Sequence, residues 1–313
     1  MENYSRPLYT KEAVEDFLTR VLDFRHRKIG RIVDMIIDGE LGNDKIDETF
    51  ETLTSLSMRV KNFRDEQKRW ELREVIIDEL LSLKRLADDE KIKLGKGGAL
   101  PNRRLKSEAK AFILVGLPAS GKSSIASGIA EDYGAVILDS DFAKRKLPEY
   151  RSHFYGASLV HAESSQITFG FESSPDSKKV KSLFRRCIDA KYNLVIPKIG
   201  QNPTSIITLA ETLRHQHGYE VHLILVSLSK KEATKRAVMR YFITKRYVPL
   251  GLIFDWYGND PSHSYYYLRA KKNGLFKSFG VVSTESRPAM HTDIVRSSPV
   301  KKYNYIDKTL ILP

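Results

Sequence analysis

Cysteine and long apolar runs are the two features that this chain of 313 residues nearly lacks. Its one cysteine, Cys187, excludes an internal disulfide. No apolar run approaches the roughly 18 residues that a membrane-spanning helix needs. The first residues also lack the apolar segment of a secretory signal. We therefore expect a cytoplasmic protein without a membrane partner.

The net charge of +13 is distributed unevenly along the chain. Residues 1–92 contain 17 basic and 21 acidic residues, whereas residues 93–313 contain 35 basic and 18 acidic residues. This difference indicates complementary surfaces within the chain and an attraction of the basic part for phosphate-bearing ligands. Nucleic acid is not favoured as that ligand, because no DNA- or RNA-binding motif accompanies the charge.

The first 92 residues have the apolar spacing of helices. Three stripes at three- and four-residue steps predict a small helical bundle, and they cover residues 14–37, 46–60 and 70–86. A turn cluster at residues 38–44 is expected to end the first helix. Nothing in these helices has a catalytic pattern, so an interaction module is the simplest interpretation.

Residues 93–106 are rich in glycine and basic residues and predict a linker. From residue 107 to the end, short apolar strands alternate with helical segments. This pattern predicts an α/β domain with a parallel sheet and helices on both faces. The expected strands are 111–115, 135–138, 193–196 and 221–226, with a further one within 274–284, and the expected helices are 122–132, 178–190, 205–217 and 230–246.

A phosphate-binding motif lies between the first expected strand and helix. It fits G-x-x-x-x-G-K-[ST] at every position and consists of Gly116, Leu117, Pro118, Ala119, Ser120, Gly121, Lys122 and Ser123, with Ser124 following. Backbone N–H groups of such a loop bind phosphate oxygens. Lys122 is expected to reach the β- and γ-phosphates of ATP, and the Ser123 hydroxyl is expected to bind Mg²⁺.

Two acidic residues follow the second expected strand, at the edge where open α/β sheets bind ligands. Asp141 is a candidate base for the acceptor hydroxyl, although an Asp at this place also suits the N-cap of a helix. Arg236 and Arg240 lie four residues apart on a later helix, and Arg246 follows it. Such arginines can stabilise a transferring phosphoryl group, or simply form a solvated basic face.

Residues from about 107 to 284 resemble the zeta-toxin family of P-loop kinases. The resemblance rests on GLPASGKSS (116–124), VILDSDFAKRKLPEY (136–150), YNLVI (192–196), GYEVHLILV (218–226) and Arg240-Tyr241 with KRYVP (245–249). It implies that Asp141 is the catalytic base and that Arg240 and Arg246 are the paired arginines of the family's lid. It places Asp139 and Lys144 beside the acceptor.

The family uses ATP to phosphorylate the 3′-hydroxyl of UDP-N-acetylglucosamine, and the resemblance implies a nucleotide-sugar acceptor. This chain departs from the family after its third strand. Where the family has E-G-T-x-R, Pro197, Ile199 and Gln201 replace Glu, Thr and Arg. Polar groups of His161 and Glu163, in a segment like one found in some relatives, are candidates to compensate, and a structural role for both is equally open.

Relatives of this family are held inactive by helical antitoxins, and a few resemble this chain in carrying a helical domain. The resemblance therefore implies that residues 1–92 contact and restrain the kinase domain, although a stabilising module is also possible. Three alternatives to the nucleotide-sugar kinase remain. They are a kinase of NAD or another nucleotide, a nucleic-acid-dependent NTPase or polynucleotide kinase, and a non-catalytic regulator that has kept ATP binding.

Overall fold

The structure, a computed structural model, describes Arg6 and residues 8–43, 51–152, 156–170, 180–244, 247–285, 289–294 and 306–307. The chain forms two compact units. The first unit comprises residues 1–41, 109–132 and 195–313, and the second comprises residues 42–108 and 133–194. The first 92 residues are therefore shared between both units, although their helical pattern predicts one N-terminal domain. The boundary at residue 92 stays a prediction.

The strands in chain order are β1 (Lys110–Val115), β2 (Val136–Ile137), β3 (Leu194–Lys198), β4 (Glu220–Ser227), β5 (Ser278–Ser283), β6 (Ala289–Ile294) and β7 (Ile306–Asp307). In the first unit the sheet has the order β3-β1-β4-β5-β6-β7. Strands β1, β4 and β5 are parallel, with Lys110 opposite Glu220 and His222 opposite Ser278. Strand β6 is antiparallel to β5. The α/β fold with a P-loop-type parallel sheet flanked by helices is thus confirmed.

The helices are α1 (Lys11–Asp16), α2 (Ile29–Asn43), α3 (Glu66–Ser82), α4 (Lys122–Tyr133), α5 (Ser140–Lys146), α6 (Gly156–Leu159), α7 (His161–Phe169), α8 (Leu183–Asp189), α9 (Pro203–Glu211), α10 (Lys230–Thr244) and α11 (Asp260–Lys271). π-Helical turns extend α1 over Phe17–Val21 and α9 over Thr212–Gln216. The four helices expected between and after the strands correspond to α4, α8, α9 and α10. Their predictions are confirmed within the described residues.

Residues 8–41 complete the apolar core of the first unit. Thr10 begins α1, because its hydroxyl accepts a hydrogen bond from the backbone N–H of Ala13. The left-handed Asp23 (φ 48°) then separates α1 from α2. The core contains Leu8, Val14, Phe17, Leu18, Leu22, Phe24, Ile32, Val33 and Ile36, together with Leu117, Ala233, Ala237, Val238, Leu250 and Ile253. The N-terminal segment thus packs on α10 and on the phosphate-binding loop.

The prediction that a turn ends the first helix is wrong for residues 38–43, the part of the turn cluster that the structure describes. Helix α2 continues through it to Asn43. Tertiary packing explains the difference, since the Tyr247 hydroxyl donates a hydrogen bond to the buried carboxylate of Glu40. The ring of Tyr247 also covers Gly39, where a Cβ would lie 2.7 Å from it. These contacts stabilise the helix despite the low helix propensity of glycine.

The helix expected from the second apolar stripe is also wrong in its described part. Residues 46–50 lie outside the described residues. Beyond them the chain forms turns and two 3₁₀ turns, Leu56–Met58 and Lys61–Phe63. The buried guanidinium of Arg59 donates from Nε to the carbonyl oxygen of Thr52, at 2.7 Å. A side chain seven residues away thus satisfies a carbonyl oxygen that, in a helix, would accept a backbone N–H.

Residues 93–106, whose composition predicts a linker, lie in the second unit. Gly98 N–H donates to the carbonyl oxygen of Lys84 at 3.0 Å, and Ile137 N–H donates to that of Ala99 at 3.2 Å. Ala99 is fully buried. The segment is therefore packed between the end of α3 and strand β2 by backbone hydrogen bonds.

Acidic residues of the N-terminal third pair with basic residues of α5 in this unit. Arg145 Nη2 lies 2.9 Å from Glu90 Oε1, and Lys146 Nζ lies 2.6 Å from Glu79 Oε2. Both basic side chains are buried. Burial lowers the pKa of Lys146, and the carboxylate of Glu79 opposes this shift. These pairs are of the kind that the uneven charge distribution predicts.

Among the described residues, no helix combines the length and the apolar character that crossing a bilayer requires.

Replacing Phe17 with alanine should destabilise the first unit. The Phe17 side chain is 1% exposed, and its ring meets that of Phe254 edge-on at 5.4 Å. Loss of a buried phenylalanine removes about 3–5 kcal/mol of stability, so the thermal midpoint should fall by on the order of 10 °C. Leu41→Ala is the matched control, because Leu41 is 47% exposed. Equal midpoints in a circular-dichroism melt would contradict this packing.

Candidate active site

The phosphate-binding loop connects β1 to α4 in the first unit. Gly116 begins it, and a Cβ there would lie 2.6 Å from the carbonyl oxygen of Val226, so a side chain cannot be accommodated. Gly121 (φ 89°) and Ala119 (φ 62°) have left-handed backbones. That conformation suits glycine but strains alanine, and such strain is common at functional loops. The sequence motif therefore has the backbone geometry that its chemistry needs.

Lys122, the first residue of α4, folds back over this loop. Its ammonium lies 2.5 Å from the carbonyl oxygen of Gly116 and 2.6 Å from that of Leu117. Ser123 and Ser124 follow in the first turn of the helix and are exposed. The positive end of the helix and the Lys122 ammonium thus combine at one place, which favours the binding of phosphate groups.

A hydrogen-bonded chain ties the loop to α10 through Thr284, the residue after β5. The Thr284 hydroxyl donates to the carbonyl oxygen of Ser120 at 2.6 Å. Arg236 Nη2 donates to the carbonyl oxygen of Thr284 at 2.7 Å, and Arg236 also pairs with Glu232. The sequence makes Arg236 a candidate to stabilise a transferring phosphoryl group. In the structure its contacts support the phosphate-binding loop. The sequence motifs did not identify Thr284 as a residue of the site. Its position at the carboxyl end of a parallel strand, where open α/β sheets bind ligands, could have indicated it.

Arg240 lies one helical turn beyond Arg236 on α10 and is half-buried. The next residue, Tyr241, donates its hydroxyl hydrogen to the carbonyl oxygen of Met35 at 2.9 Å. The helix that carries these arginines is therefore held by α2. Arg246, the second expected lid arginine, lies outside the described residues.

The strand-end carboxylates lie in the second unit. Asp139 caps α5, because its carboxylate accepts the backbone N–H of Asp141 at 2.9 Å. The N-cap of this helix, which the sequence offered as an alternative role for an Asp at this place, is therefore Asp139. Asp141 Oδ1 lies 3.3 Å from the ammonium of Lys144, one turn later on the same helix. Its side chain is 26% exposed, whereas that of Lys144 is 11% exposed.

His161 faces this ion pair from the first residue of α7. The Lys144 ammonium, with a smaller effect of desolvation, lowers the pKa of His161 to about 4, although part of the side chain is exposed; Asp141 opposes the shift. His161 is therefore neutral at physiological pH and offers one ring nitrogen as donor and the other as acceptor. The structure thus brings together Asp141, Lys144 and His161, which the sequence analysis named separately.

Glu163, expected beside His161 at the acceptor, is fully buried among other side chains. Its carboxylate pairs with Arg69 and Arg73, and Thr52 donates to it at 2.6 Å. Burial raises its pKa, but these partners outweigh burial and lower it. Glu163 therefore has no open face for a ligand, and we do not include it in the acceptor site proposed below.

Gln201 lies in the first unit, just after the segment that departs from the zeta-toxin pattern. Its carbonyl oxygen accepts a hydrogen bond from Ser264 Oγ at 3.2 Å. Gly200 (φ 79°) precedes it, and a Cβ there would lie 2.7 Å from Val115. Gly116 N–H also donates to the carbonyl oxygen of Ile199 at 3.0 Å. This departing segment therefore supports the end of β1 and the start of the phosphate-binding loop.

The described residues contain no group of three or more His, Cys, Asp or Glu side chains that could hold a metal ion by themselves. A metal shared with a bound phosphate needs fewer protein ligands. The exposed Ser123 hydroxyl, at the start of α4, fits that arrangement.

Comparison with known proteins places this site in a family. The zeta toxin family model matches residues 99–257. Toxin zeta of Streptococcus agalactiae is 26% identical over 142 residues, which are 45% of this chain and 47% of that protein. Toxin zeta of Enterococcus hirae is 27% identical over 134 residues, 42% of this chain and 44% of that protein. The chain thus spans about half the length of the curated relatives it matches.

A solved structure from the PezAT chromosomal toxin–antitoxin system of Streptococcus pneumoniae aligns with a TM-score of 0.45 and 20% identity, over 69% of this chain and 78% of that one. The family model covers residues on both sides of the phosphate-binding loop and includes Asp141, Lys144 and Arg240. Because this model matches just over half of the 313 residues, the chain belongs to the zeta toxin family.

Proposed function

We propose that this chain is an ATP-dependent kinase that phosphorylates a sugar hydroxyl of a nucleotide sugar similar to UDP-N-acetylglucosamine. The observation that carries the proposal is the loop between β1 and α4, with the Lys122 ammonium folded over it. Membership of the zeta toxin family supports the same reaction class. The partly exposed carboxylate of Asp141 supports an acceptor that carries a hydroxyl group.

The proposed reaction is an in-line transfer of the γ-phosphoryl group. Backbone N–H groups at the helix end of the loop, residues 121–123, and the Lys122 ammonium hold the ATP phosphates. The acceptor oxygen forms a bond to the γ-phosphorus while the bond to the ADP oxygen breaks. Asp141 accepts the proton of the hydroxyl. Arg240 and Arg246 are proposed to stabilise the negative charge of the phosphoryl group during its transfer.

Ser123 is the residue of this chain that would bind Mg²⁺. The ion, when bound, neutralises negative charge on the phosphates and on the leaving group.

The acceptor site is proposed to include Asp139, Lys144 and His161, which all belong to the second unit. Gln201 keeps the acceptor role that the zeta-toxin resemblance predicts for it. Lys144 orients the Asp141 carboxylate through their ion pair, and the neutral imidazole of His161 can hydrogen-bond an acceptor hydroxyl. NAD and the end of an oligonucleotide remain alternative acceptors, because the Pro197–Gln201 segment lacks the polar side chains of the zeta-toxin pattern.

Asp141→Asn should abolish phosphoryl transfer, since an amide cannot accept the proton. We expect a loss of at least about 100-fold in kcat with little change in the Kd for ATP. Mass spectrometry of the product would measure transfer from ATP to UDP-N-acetylglucosamine, NAD or an oligonucleotide. The control is Asp189→Asn, which removes a carboxylate that pairs with the exposed Lys181. Unchanged turnover in Asp141→Asn would exclude its role as base.

Thr284→Val should weaken ATP binding. The substitution keeps the shape of the side chain but removes the hydroxyl that supports the loop at Ser120. The carbonyl oxygen then loses a buried partner, at about 1–3 kcal/mol, so the KM for ATP should rise roughly 5- to 100-fold. Thr284→Ser keeps the hydroxyl and should restore most of the affinity. Equal KM values in the two variants would contradict this role.

We further propose that the N-terminal residues restrain the kinase through their contacts with α10. Only residues 8–41 of the expected 1–92 domain support this, because they pack on Leu117 and on the arginine-bearing helix. Hydrogen bonds from Tyr241 to Met35 and from Tyr247 to Glu40 reinforce the contact. Movement of Arg240 toward a bound phosphate would require this packing to loosen.

Removing both tyrosine hydroxyls tests the restraint without truncating the core. In the full chain, Tyr241→Phe combined with Tyr247→Phe should raise kcat several-fold, because each lost bond weakens the hold on α10 by about 1 kcal/mol. Tyr266→Phe is the control, since Tyr266 is 50% exposed. A kcat that stays unchanged or falls would exclude the restraint.

A further inference from the structure

Arg69, on α3, is enclosed between two carboxylates of the second unit. Its side chain is fully buried. Nη1 and Nη2 donate to the two oxygens of Glu149 at 2.9 and 3.1 Å, and Nε and Nη2 donate to the two oxygens of Glu163 at 2.7 and 2.5 Å. One guanidinium thus binds two carboxylates bidentately, the geometry that distinguishes arginine from lysine.

The two carboxylates belong to different elements. Glu149 lies in a 3₁₀ turn, Pro148–Arg151, that directly follows α5, whereas Glu163 lies in the first turn of α7. Arg69 therefore bridges the end of α5 to the start of α7. Both glutamate side chains are 0–1% exposed, so water does not compete for the bridge.

Further donors from the N-terminal third complete the cluster. Arg73 Nε donates to Glu163 at 2.7 Å, and the backbone N–H of Val60 donates to Glu149 at 2.9 Å. Burial alone would lower the pKa of Arg69, but Glu163 and Glu149 raise it above its usual value. The same contacts lower the pKa of Glu163, so the Arg69–Glu163 pair is held in its charged form.

The two bridged elements carry the polar cluster of the proposed acceptor site. Helix α5 contains Asp141 and Lys144, and α7 begins with His161, two residues before Glu163. The electrostatic effect of Lys144 on His161 depends on how these helices are placed. A change in the Arg69 bridge would therefore change the distance between His161 and the Asp141–Lys144 pair.

We propose that Arg69 is a positioning residue, which sets the placement of His161 relative to Asp141 and Lys144 by bridging Glu149 to Glu163. The N-terminal third then supplies an integral part of the acceptor site. This inference rests on the proposed function for the role of the site, but the bridge and the placement of His161 can be measured without it.

The test uses two variants of the full chain. Arg69→Lys keeps the charge but loses the fork that binds both carboxylates. The double variant Arg69→Met, Glu149→Gln removes one charge of each sign, so that Arg73 and Glu163 remain balanced and no buried charge is left uncompensated. Lys68→Met is the control, because Lys68 is exposed on the same turn of α3.

NMR titration of the imidazole, assigned with His161→Gln, gives the first readout. In the wild type we expect His161 to titrate near pH 4, because the Lys144 ammonium lowers its pKa. We expect its pKa to rise toward 6.5 by at least one unit in any bridge variant that folds, and to stay unchanged in Lys68→Met. A His161 pKa equal to that of the wild type in a folded bridge variant overturns the proposal. If Arg69→Lys does not fold, the double variant decides.

Steady-state transfer from ATP to UDP-N-acetylglucosamine gives the second readout. The bridge variants should lose at least tenfold in kcat/KM for this acceptor, with the KM for ATP changed less than twofold. Equal losses for both substrates would indicate a general structural defect and contradict positioning. If the wild type transfers phosphate to none of the acceptors named above, the proposed function fails, and the His161 titration alone decides the role of Arg69.

Discussion

The burial of Glu149 and Glu163 is the constraint on which the second unit depends. A carboxylate enclosed away from water is destabilising unless a cation and hydrogen-bond donors surround it. Within the described part of the chain, the donors to these carboxylates lie in residues 52–73: two guanidiniums, a hydroxyl and a backbone N–H. Removing one partner of such a cluster destabilises a protein by about 3–5 kcal/mol. We therefore expect residues 52–73 to contribute strongly to the stability of this unit.

The first unit depends on the same third of the chain in a different way. Residues 8–41 contribute apolar side chains rather than charges, and they share one core with α10 and Leu117. Cutting the chain at the glycine-rich segment would expose that core and leave Glu149 and Glu163 uncompensated. The division of the N-terminal third between the two units thus explains both its acidic residues and its apolar stripes. The N-terminal third is divided into two parts, each of which is built into a different unit.

Much of the fold was predictable, because local patterns determine it. The P-loop, strand β1 and helix α4 follow from glycine spacing and apolar runs between residues 111 and 133. Asp139 and Asp141 were found for the same reason, since the edge of a parallel sheet identifies them. The helix through Gly39 was missed because its stability comes from Tyr247, more than 200 positions away. Arg69 was missed because its partners lie 80 and 94 positions away.

Arg246 and part of the second apolar stripe lie outside the described residues, so their predictions stay open. The role of Gln201 also stays a prediction, because the contact described for it uses the backbone and leaves its side chain unassigned. Sequence patterns could identify candidate residues for the acceptor site, but they could not predict which of these residues lie close together in space. That grouping depends on ion pairs between elements that are distant in sequence, such as α3 and α7.

The folded-back position of Lys122 has a consequence for how tightly a nucleotide can be held. Its ammonium already has two carbonyl partners in the loop, so a phosphate that binds it would compete with them for its N–H donors. Binding is therefore an exchange of hydrogen bonds, and its net free energy is smaller than the strength of the new ion pair suggests. In the reaction proposed above, the same competition would favour release of the nucleotide after transfer, since the two carbonyl oxygens can take the ammonium back.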